Sequence, residues 1–411
     1  MPPVENQAEH SPPHAIVAAI ETREEYLDAV AEIAAGTGPI AIDAERASGF
    51  RYSQRAYLIQ IYRRGAGVFL FDPPAIGSFA ELNEAISAEE WVLHAASQDL
   101  ACLREVGLEP THIFDTELGA RLAGLPRVGL GTVVEDLLGI HLAKEHSAAD
   151  WSTRPLPQSW LVYAALDVEL LVDLRDAMAK LLEVAGKSEV AKQEFAAVLS
   201  REAKPAKGEA WRRLSGLHTV RGARNLAVAR ELWEARDSFA RETDTAPGRL
   251  VPDASLVAAA KAMPESKHAL AALREFNGRA SRSELARWWA AIEAGKTTED
   301  LPALRVAGET MPPPRVWSDR NPQADKRLKA ARAALTVIST DLNIPVENLL
   351  TPEFLRRLAW TPLEPLDLAT VRDGLTEVGA RPWQIDALSQ AIHDAFVEAS
   401  QTVESTAEPA S

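Results

Sequence analysis

Residues 40–45 read Ile-Ala-Ile-Asp-Ala-Glu, and this short run decides how the first part of the chain folds. Its apolar and β-branched residues favour a buried strand. Because a strand turns alternate residues to the same face, the carboxylates of Asp43 and Glu45 should point in one direction. The run therefore predicts a strand that carries two acidic groups side by side.

Two further stretches carry acidic groups at spacings that suit their predicted elements. Tyr163 and Asp167 are four residues apart in a helical pattern that runs from 157 to 182, so the phenol and the carboxylate are neighbours on one helix surface. Asp99 begins a predicted helix that follows a predicted strand at 91–94. If the fold brings the three stretches together, four carboxylates and one tyrosine share a site.

Four carboxylates in a partly desolvated cleft need a cation, since like charges about 4 Å apart repel by a few kcal/mol at an effective dielectric near 20. Oxygen donors alone favour hard ions, so the pattern indicates two divalent cations, Mg²⁺ or Mn²⁺, over zinc. Two such ions about 3.5 to 4 Å apart suit in-line displacement at phosphorus, which makes a phosphodiester the expected substrate. Tyr163 could orient the attacking water, although a phenol with a pKa of about 10 is a poor base unless a cation lowers it.

The ordered set of motifs resembles the DEDDy family of 3'-5' exonucleases, and within it the ribonuclease D family. The first motif is 42–45, the second contains His94 and Asp99, and the third is 163–168. Val162 stands where a related subclass has histidine, and the stretch 47–52 departs from the usual pattern. The resemblance implies metal ligation by four of the catalytic residues and a role for the tyrosine at the attacking water. The implied catalytic set is Tyr163, Asp43, Glu45, Asp99 and Asp167.

The predicted architecture combines one α/β domain with two helical ones. Strand runs alternate with helical patterns from 15 to 182, the first of these patterns being 23–35. Residues 62–67 suit a hairpin, so a mixed sheet is expected. The resemblance implies an α/β ribonuclease H-like exonuclease domain followed by two small all-α domains that resemble HRDC domains. The predicted units are a disordered tail 1–13, the exonuclease domain 14–203, an HRDC domain 204–296, a Pro-rich linker 297–320, a second HRDC-like domain 321–403 and a disordered tail 404–411.

Nucleic-acid contacts are predicted from basic residues near the motifs and on the helical domains. Residues beside the third motif are equally able to pair with a carboxylate, and those on the helices could form an ordinary solvated face. His94 is interpreted as a packing residue, because hard cations do not favour imidazole. The predicted phosphate contacts are Lys144, Arg154, Arg213, Arg221, Arg224, Arg230, Lys326 and Arg327.

The net charge of -15 is confined to the first half of the chain. Residues 1–203 contain 16 Lys and Arg against 31 Asp and Glu, whereas residues 204–411 contain 28 of each. This division agrees with a carboxylate metal site in the first half and nucleic-acid contacts elsewhere, and equally with an acidic surface that favours solubility. Cys102 is the single cysteine, which excludes an intrachain disulfide; together with the polar start of the sequence it predicts a cytoplasmic protein.

Three functions are compatible with these features. The leading hypothesis is a metal-dependent 3'-5' exoribonuclease that releases nucleoside 5'-monophosphates from single-stranded 3' ends, with precursor tRNA as the substrate that the resemblance implies. The second is a DNA exonuclease with the same chemistry. The third is a catalytically retired scaffold that binds RNA, which the presence of all five catalytic residues disfavours.

Overall fold

The structure, a computed structural model, describes residues 18–142, 148–201, 208–276, 279–304 and 311–404. Within these ranges the buried apolar side chains form three large cores, one in each predicted domain, and a smaller cluster beside the first. Lys144 and both predicted tails lie outside the described residues, except for Glu404, which is the last residue of the final helix.

The first domain is built on a mixed sheet of six strands, as predicted. Their order across the sheet is β1-β4-β3-β2-β5-β6; β3 is antiparallel to both of its neighbours, and the other pairs are parallel. The predicted hairpin is the connection between β3 and β4. The strands are β1 Ala19–Ile20, β2 Thr37–Arg46, β3 Ala56–Arg64, β4 Gly67–Phe71, β5 Glu90–Leu93 and β6 His112–Asp115.

Strands β2 and β3 lie at the centre of the sheet, which explains their composition. Residues 40–42 and 56–61 are all buried, because helices cover both faces of the sheet. A strand that is buried on both faces needs a nearly continuous apolar run, and that run is what the sequence shows there. Asp43 and Glu45 interrupt it where the face of β2 opens into a cleft.

Nine α-helices surround this sheet within the described residues. The predicted helix 157–182 is in fact two helices, which meet at Leu170. Residues of the first pack with the small cluster around Leu58 and Leu70, whereas residues of the second pack in the main core. No glycine or proline marks this break, so only packing reveals it. The helices are α1 Arg23–Ala35, α2 Pro73–Ile76, α3 Ala80–Ile86, α4 Leu100–Glu105, α5 Thr116–Ala123, α6 Leu130–Leu138, α7 Gln158–Glu169, α8 Leu171–Val184 and α9 Ser188–Leu199.

The second domain is helical, and its two longest helices cross at a glycine. A Cβ atom on Gly295 would lie 2.5 Å from the Cα of Val228, so only glycine allows the two backbones to approach this closely. The helices are α10 Ala223–Glu242, α11 Pro247–Leu250, α12 Asp253–Ala262, α13 Lys267–Ala271, α14 Arg279–Ser283 and α15 Leu285–Thr297.

The third domain begins earlier than the sequence predicts. Trp317, within the predicted linker 297–320, is fully buried in the third core, and its indole N–H donates to the carbonyl of Pro312 at 2.6 Å. The linker is therefore shorter, because the large apolar ring supplies core packing that proline-rich composition does not reveal. The helices are α16 Trp317–Arg320, α17 Pro322–Leu342, α18 Val346–Leu349, α19 Pro352–Trp360, α20 Leu368–Glu377 and α21 Pro382–Glu404.

The third domain packs directly on the first. Ile344 and Leu349 complete the core of the first domain, and the guanidinium of Arg381 donates two hydrogen bonds of 2.7 and 2.6 Å to the carboxylate of Glu194. Among the helices of the described ranges, none combines the length and the apolar character that a membrane span requires.

Candidate metal centre and catalytic cleft

The predicted acidic residues line one cleft at the end of the sheet. Asp43 and Glu45 lie on β2, Asp99 immediately precedes α4, and Tyr163 and Asp167 lie on α7. All five residues line a cavity of about 400 Å³. The fold thus brings together residues that are more than a hundred positions apart in sequence.

Three of the carboxylates are close enough to share one ion. One oxygen each of Asp43, Glu45 and Asp167 lies within 4.8 Å of the others. Asp99 lies in the same cleft but outside this group, and its side chain is only 6% exposed. The arrangement therefore offers a three-carboxylate site with a fourth carboxylate beside it.

Burial and mutual repulsion hold protons on these groups. Burial and the charges of Asp43, Asp167 and Asp99 raise the pKa of Glu45 to about 9. Burial and the charge of Asp43 raise the pKa of Asp99 and of Asp167 to about 8 each. The pKa of Asp43 is also raised by burial, although the N–H of Ala44 donates to its carboxylate at 2.9 Å and lowers it.

The donor set fits a divalent cation. Arg46 is the one cationic side chain among the described residues that line the cleft, so it cannot neutralise four carboxylates. The clustered donors are all carboxylate oxygens, which match Mg²⁺ or Mn²⁺ and not the thiolate or imidazole sites of zinc. A divalent ion would remove the repulsion that otherwise raises these pKa values.

Tyr163 is placed to donate a hydrogen bond and not to act as a base. Its hydroxyl is hydrogen-bonded to the carboxylate of Asp167. Burial first, and then the negative charges of Asp167, Glu45 and Asp43, raise the pKa of this phenol well above its ordinary value. The phenol therefore stays protonated at neutral pH, and its O–H can orient a neighbouring oxygen.

His94 also lines the cleft, yet it is held by the protein. Its Nδ1 lies 2.9 Å from the hydroxyl oxygen of Thr116, and burial lowers its pKa to about 4. The neutral ring links the end of β5 to the start of α5, in agreement with its interpretation as a packing residue.

Asp115 stabilises the turn that positions Asp99, a role that the sequence did not predict. Its carboxylate caps α5 and accepts hydrogen bonds from four backbone N–H groups at 2.9 to 3.0 Å. Two of these groups, those of Ala95 and Ala96, belong to the turn that leads to Asp99, where Ala95 has a φ of 65°. An Asp just before a predicted helix is a cap signal, but the second pair of bonds depends on tertiary contact.

The loop 47–55, which contains the stretch 47–52 that departs from the family pattern, is held by the second domain. The N–H of Ser53 donates to Asp244 at 2.8 Å, and the Tyr57 hydroxyl donates to the same carboxylate at 3.1 Å. The guanidinium of Arg249 lies 3.9 Å from the centroid of the Phe50 ring. The helical domain therefore supports the loop that directly follows Glu45.

Four of the predicted phosphate contacts are engaged by protein groups. Arg154 binds Asp72 at 2.5 Å and the carbonyl of Tyr57 at 2.8 Å, so it joins the segment before α7 to the sheet. Arg224 and Arg327 donate to the carbonyls of Thr298 and Ala359 at 2.5 and 2.9 Å. Arg230 binds Asp300 at 2.8 Å. The structure places these four arginines in contacts within the protein, and their binding of phosphate stays a prediction.

The other described members of that set are open to a ligand. Arg213, Arg221 and Lys326 are exposed, and none of them makes a hydrogen bond or ion pair to another described residue. They stay predicted phosphate contacts.

The raised pKa values predict how stability depends on pH without metal. Glu45, Asp99 and Asp167 bind protons more tightly in the folded state than in the unfolded state. Their contribution to the free energy of unfolding is therefore greatest below about pH 4 and is lost as the pH rises through 8 to 9. In EDTA the unfolding temperature should therefore fall between pH 5 and pH 9, and more steeply than in Glu45→Gln. Added Mn²⁺ should reverse the fall most strongly at high pH. Calorimetric scans of the wild type and of Glu45→Gln at several pH values measure the unfolding temperatures. If the unfolding temperature fell equally steeply with pH in both proteins, the prediction would be contradicted.

Three family models match successive parts of the chain. A 3'-5' exonuclease model matches residues 17–183, and an HRDC model matches residues 225–292. A model described as the 3' to 5' exonuclease C-terminal domain matches residues 310–396, where the sequence predicts a second HRDC-like domain. Its early start agrees with the position of Trp317 in the third core.

Relatives and solved structures agree with these matches. The ribonuclease D of Granulibacter bethesdensis is 33% identical over 67% of this chain and 68% of its own length. Alignments with three other ribonuclease D proteins span 66 to 67% of their length. The crystal structure of a Bifidobacterium adolescentis protein is 36% identical with a TM-score of 0.87, over 95% of this chain and all of the other. That of Escherichia coli RNase D is 26% identical with a TM-score of 0.67, over 93% and 98%. On the strength of the relative that is 33% identical and of the matching order of domains, the chain belongs to the ribonuclease D family.

Proposed function

We propose that this protein removes nucleotides one at a time from single-stranded 3' ends of structured RNA, such as precursor tRNA, by hydrolysis that depends on two divalent cations. The observation that carries the proposal is the cluster of Asp43, Glu45 and Asp167 within 4.8 Å, with Asp99 in the same cleft. A retired site would be expected to have lost at least one ligand.

The four carboxylates of the cleft would bind the two divalent ions. Asp43, Glu45 and Asp167 would hold one ion, while Asp43 and Asp99 would hold the other. Bound there, divalent ions supply positive charge to the attacking and leaving oxygens of the phosphodiester. The carboxylates lose their protons as ions bind, since metal ligation requires the charged form.

Tyr163 would position the attacking water. Its hydroxyl lies beside Asp167 and keeps its proton, so it can hold a water molecule against the reacting phosphorus by hydrogen bonding. A Tyr163→Phe enzyme should therefore bind RNA normally and turn over slowly.

A cleft of about 400 Å³ has room for little more than one nucleotide, which supports attack at a terminal linkage. The last nucleotide must leave the duplex to reach it, so cleavage should stop near a paired stem. The choice of RNA rests on the relatives: that of Escherichia coli is described as an exoribonuclease involved in structured RNA processing.

The test uses a 5'-labelled RNA that has a hairpin followed by an unpaired 3' tail. With Mg²⁺ or Mn²⁺ we expect a ladder that shortens from the 3' end, releases 5'-monophosphates and stops near the stem. Excess EDTA should abolish it. A DNA of the same sequence, offered in competition, distinguishes the alternative of a DNA exonuclease. Turnover that persists in EDTA would overturn the mechanism, and metal-independent binding without cleavage would favour the scaffold.

Arg213 and Arg221 should bind the RNA backbone. Replacing both by alanine should raise KM several-fold and reduce the slope of log affinity against log salt by roughly 0.7 for each phosphate that is no longer neutralised, without changing kcat. Binding titrations at several salt concentrations measure the slope. Lys180→Ala is the matched control, because Lys180 is an exposed cation of the acidic first domain and pairs with Glu183. An unchanged slope in the double variant would mean that these arginines are only solvated.

A further inference from the structure

A buried glutamine lies beside Asp43, on the strand next to the one that carries the proposed metal ligands. Gln60 lies on β3, and its register partner on β2 is Asp43. Residues that face each other on antiparallel strands point to the same side of the sheet, with Cβ atoms about 4.5 to 5.5 Å apart. The amide of Gln60 is therefore a neighbour of the Asp43 carboxylate, on the side covered by α7.

This amide has no partner among the described residues. Gln60 is completely buried, and both its nitrogen and its oxygen lack a hydrogen bond there. Its neighbours on the same face of β3 and β4 include Leu58, Tyr62 and Leu70, none of which bonds the amide, and Leu58 and Leu70 pack in the small cluster with residues of α7. Buried polar groups are nearly always hydrogen-bonded, so an unpartnered amide in the centre of a sheet calls for a functional explanation.

Packing alone does not require a glutamine at this position. A side chain of the same length without polar atoms, such as methionine, would fill the same space and leave no polar atom unsatisfied. What the glutamine adds is a donor and an acceptor beside Asp43, the carboxylate that interacts with every other acidic group of the cleft.

We propose that Gln60 is a positioning residue of the metal site, whose amide hydrogen-bonds Asp43, directly or through one buried water, when the divalent ions are bound. Groups that bond a ligating carboxylate from behind fix its orientation, and their loss commonly weakens metal binding by about 10- to 100-fold. The inference rests on the proposed function, since it assumes that Asp43 is a metal ligand.

The experiment titrates the full chain with Mn²⁺ alone, without RNA, by isothermal calorimetry. For Gln60→Met we expect a Kd for Mn²⁺ about tenfold higher than in the wild type. The metal-free variant should unfold at the same temperature as the wild type or higher, because an unsatisfied polar group has been removed. Turnover should show a lower kcat at limiting Mn²⁺ with an unchanged KM for RNA.

Two further variants make the result decisive. Ile61→Val is the matched control, because Ile61 is the fully buried neighbour on the opposite face of β3, and it should bind Mn²⁺ as the wild type does. Gln60→Leu repeats the test should the methionine variant fold poorly. Binding of Mn²⁺ within twofold of the wild type in either Gln60 variant overturns the inference and leaves the proposed function intact. A wild type that takes up no Mn²⁺ overturns both.

Discussion

Replacing Asp43 by asparagine should lower the rate of RNA hydrolysis by at least about 10³-fold, which corresponds to about 4 kcal/mol of transition-state stabilisation. The substitution keeps the shape of the side chain but removes the charge that interacts with Glu45, Asp99 and Asp167. Without that charge the cleft binds both proposed ions less tightly. Negative charge on the attacking and leaving oxygens of the phosphodiester is then less stabilised. Single-turnover cleavage of labelled RNA at saturating Mn²⁺ measures the effect.

The Asp43 variant needs a control for the loss of one acidic group. Glu84→Gln removes an exposed carboxylate from the same domain and should leave the rate unchanged. Asp43→Asn should still bind RNA in EDTA as tightly as the wild type, since the helical domains are untouched. A hydrolysis rate within tenfold of the wild type would show that Asp43 is not a ligand of the catalytic ions.

Replacing Asp115 by alanine should have the largest effect on stability. The change leaves four backbone N–H groups without their acceptor: those of Ala95 and Ala96, whose bonds are buried, and those of Glu117 and Leu118, whose bonds are partly buried. We expect a loss of about 3 kcal/mol or more in the free energy of unfolding. Because the turn 95–98 would then be free to move, Asp99 should lose its position and kcat should fall about 100-fold. Urea unfolding and single-turnover kinetics measure the two effects.

Asp367→Ala separates a lost helix cap from a lost catalytic support. Asp367 also caps a helix, accepting from the N–H of Thr370 at 2.8 Å, but it lies on the surface of the third domain. Its replacement should cost about 1 kcal/mol and leave kcat unchanged. If Asp115→Ala remained as active as Asp367→Ala when fully folded, Asp115 would have no role in holding Asp99.

Local sequence was sufficient for much of the first domain. The alternation of apolar strands and amphipathic helices predicted a mixed sheet, and the helix 23–35 has the bounds that its periodicity indicates. The spacings of Asp43 with Glu45 and of Tyr163 with Asp167 follow from strand and helix periods, which are local properties of the backbone. For that reason each motif could be placed before the fold was known.

Other features depend on contacts between distant residues and leave no local signal. The break at Leu170 reflects a change of packing partner and not a helix-breaking residue. Arg154, Arg224, Arg230 and Arg327 look like phosphate contacts in the sequence, yet carbonyls and carboxylates elsewhere in the chain hold them. A basic residue alone does not show whether its donors are free, because its acceptors come from other segments.

The sequence by itself determined most of the elements and the local pairing of Asp43 with Glu45 and of Tyr163 with Asp167, because strand and helix periods act over a few positions. The resemblance of its motifs to a known family supplied Asp99 and the order of the domains. Only the tertiary structure decided that three carboxylates meet within 4.8 Å, that Asp115 supports the turn before Asp99, and that Gln60 lies beside Asp43 without a hydrogen bond to any described residue. These relations arise from strand register and helix packing, in which residues far apart in sequence become neighbours.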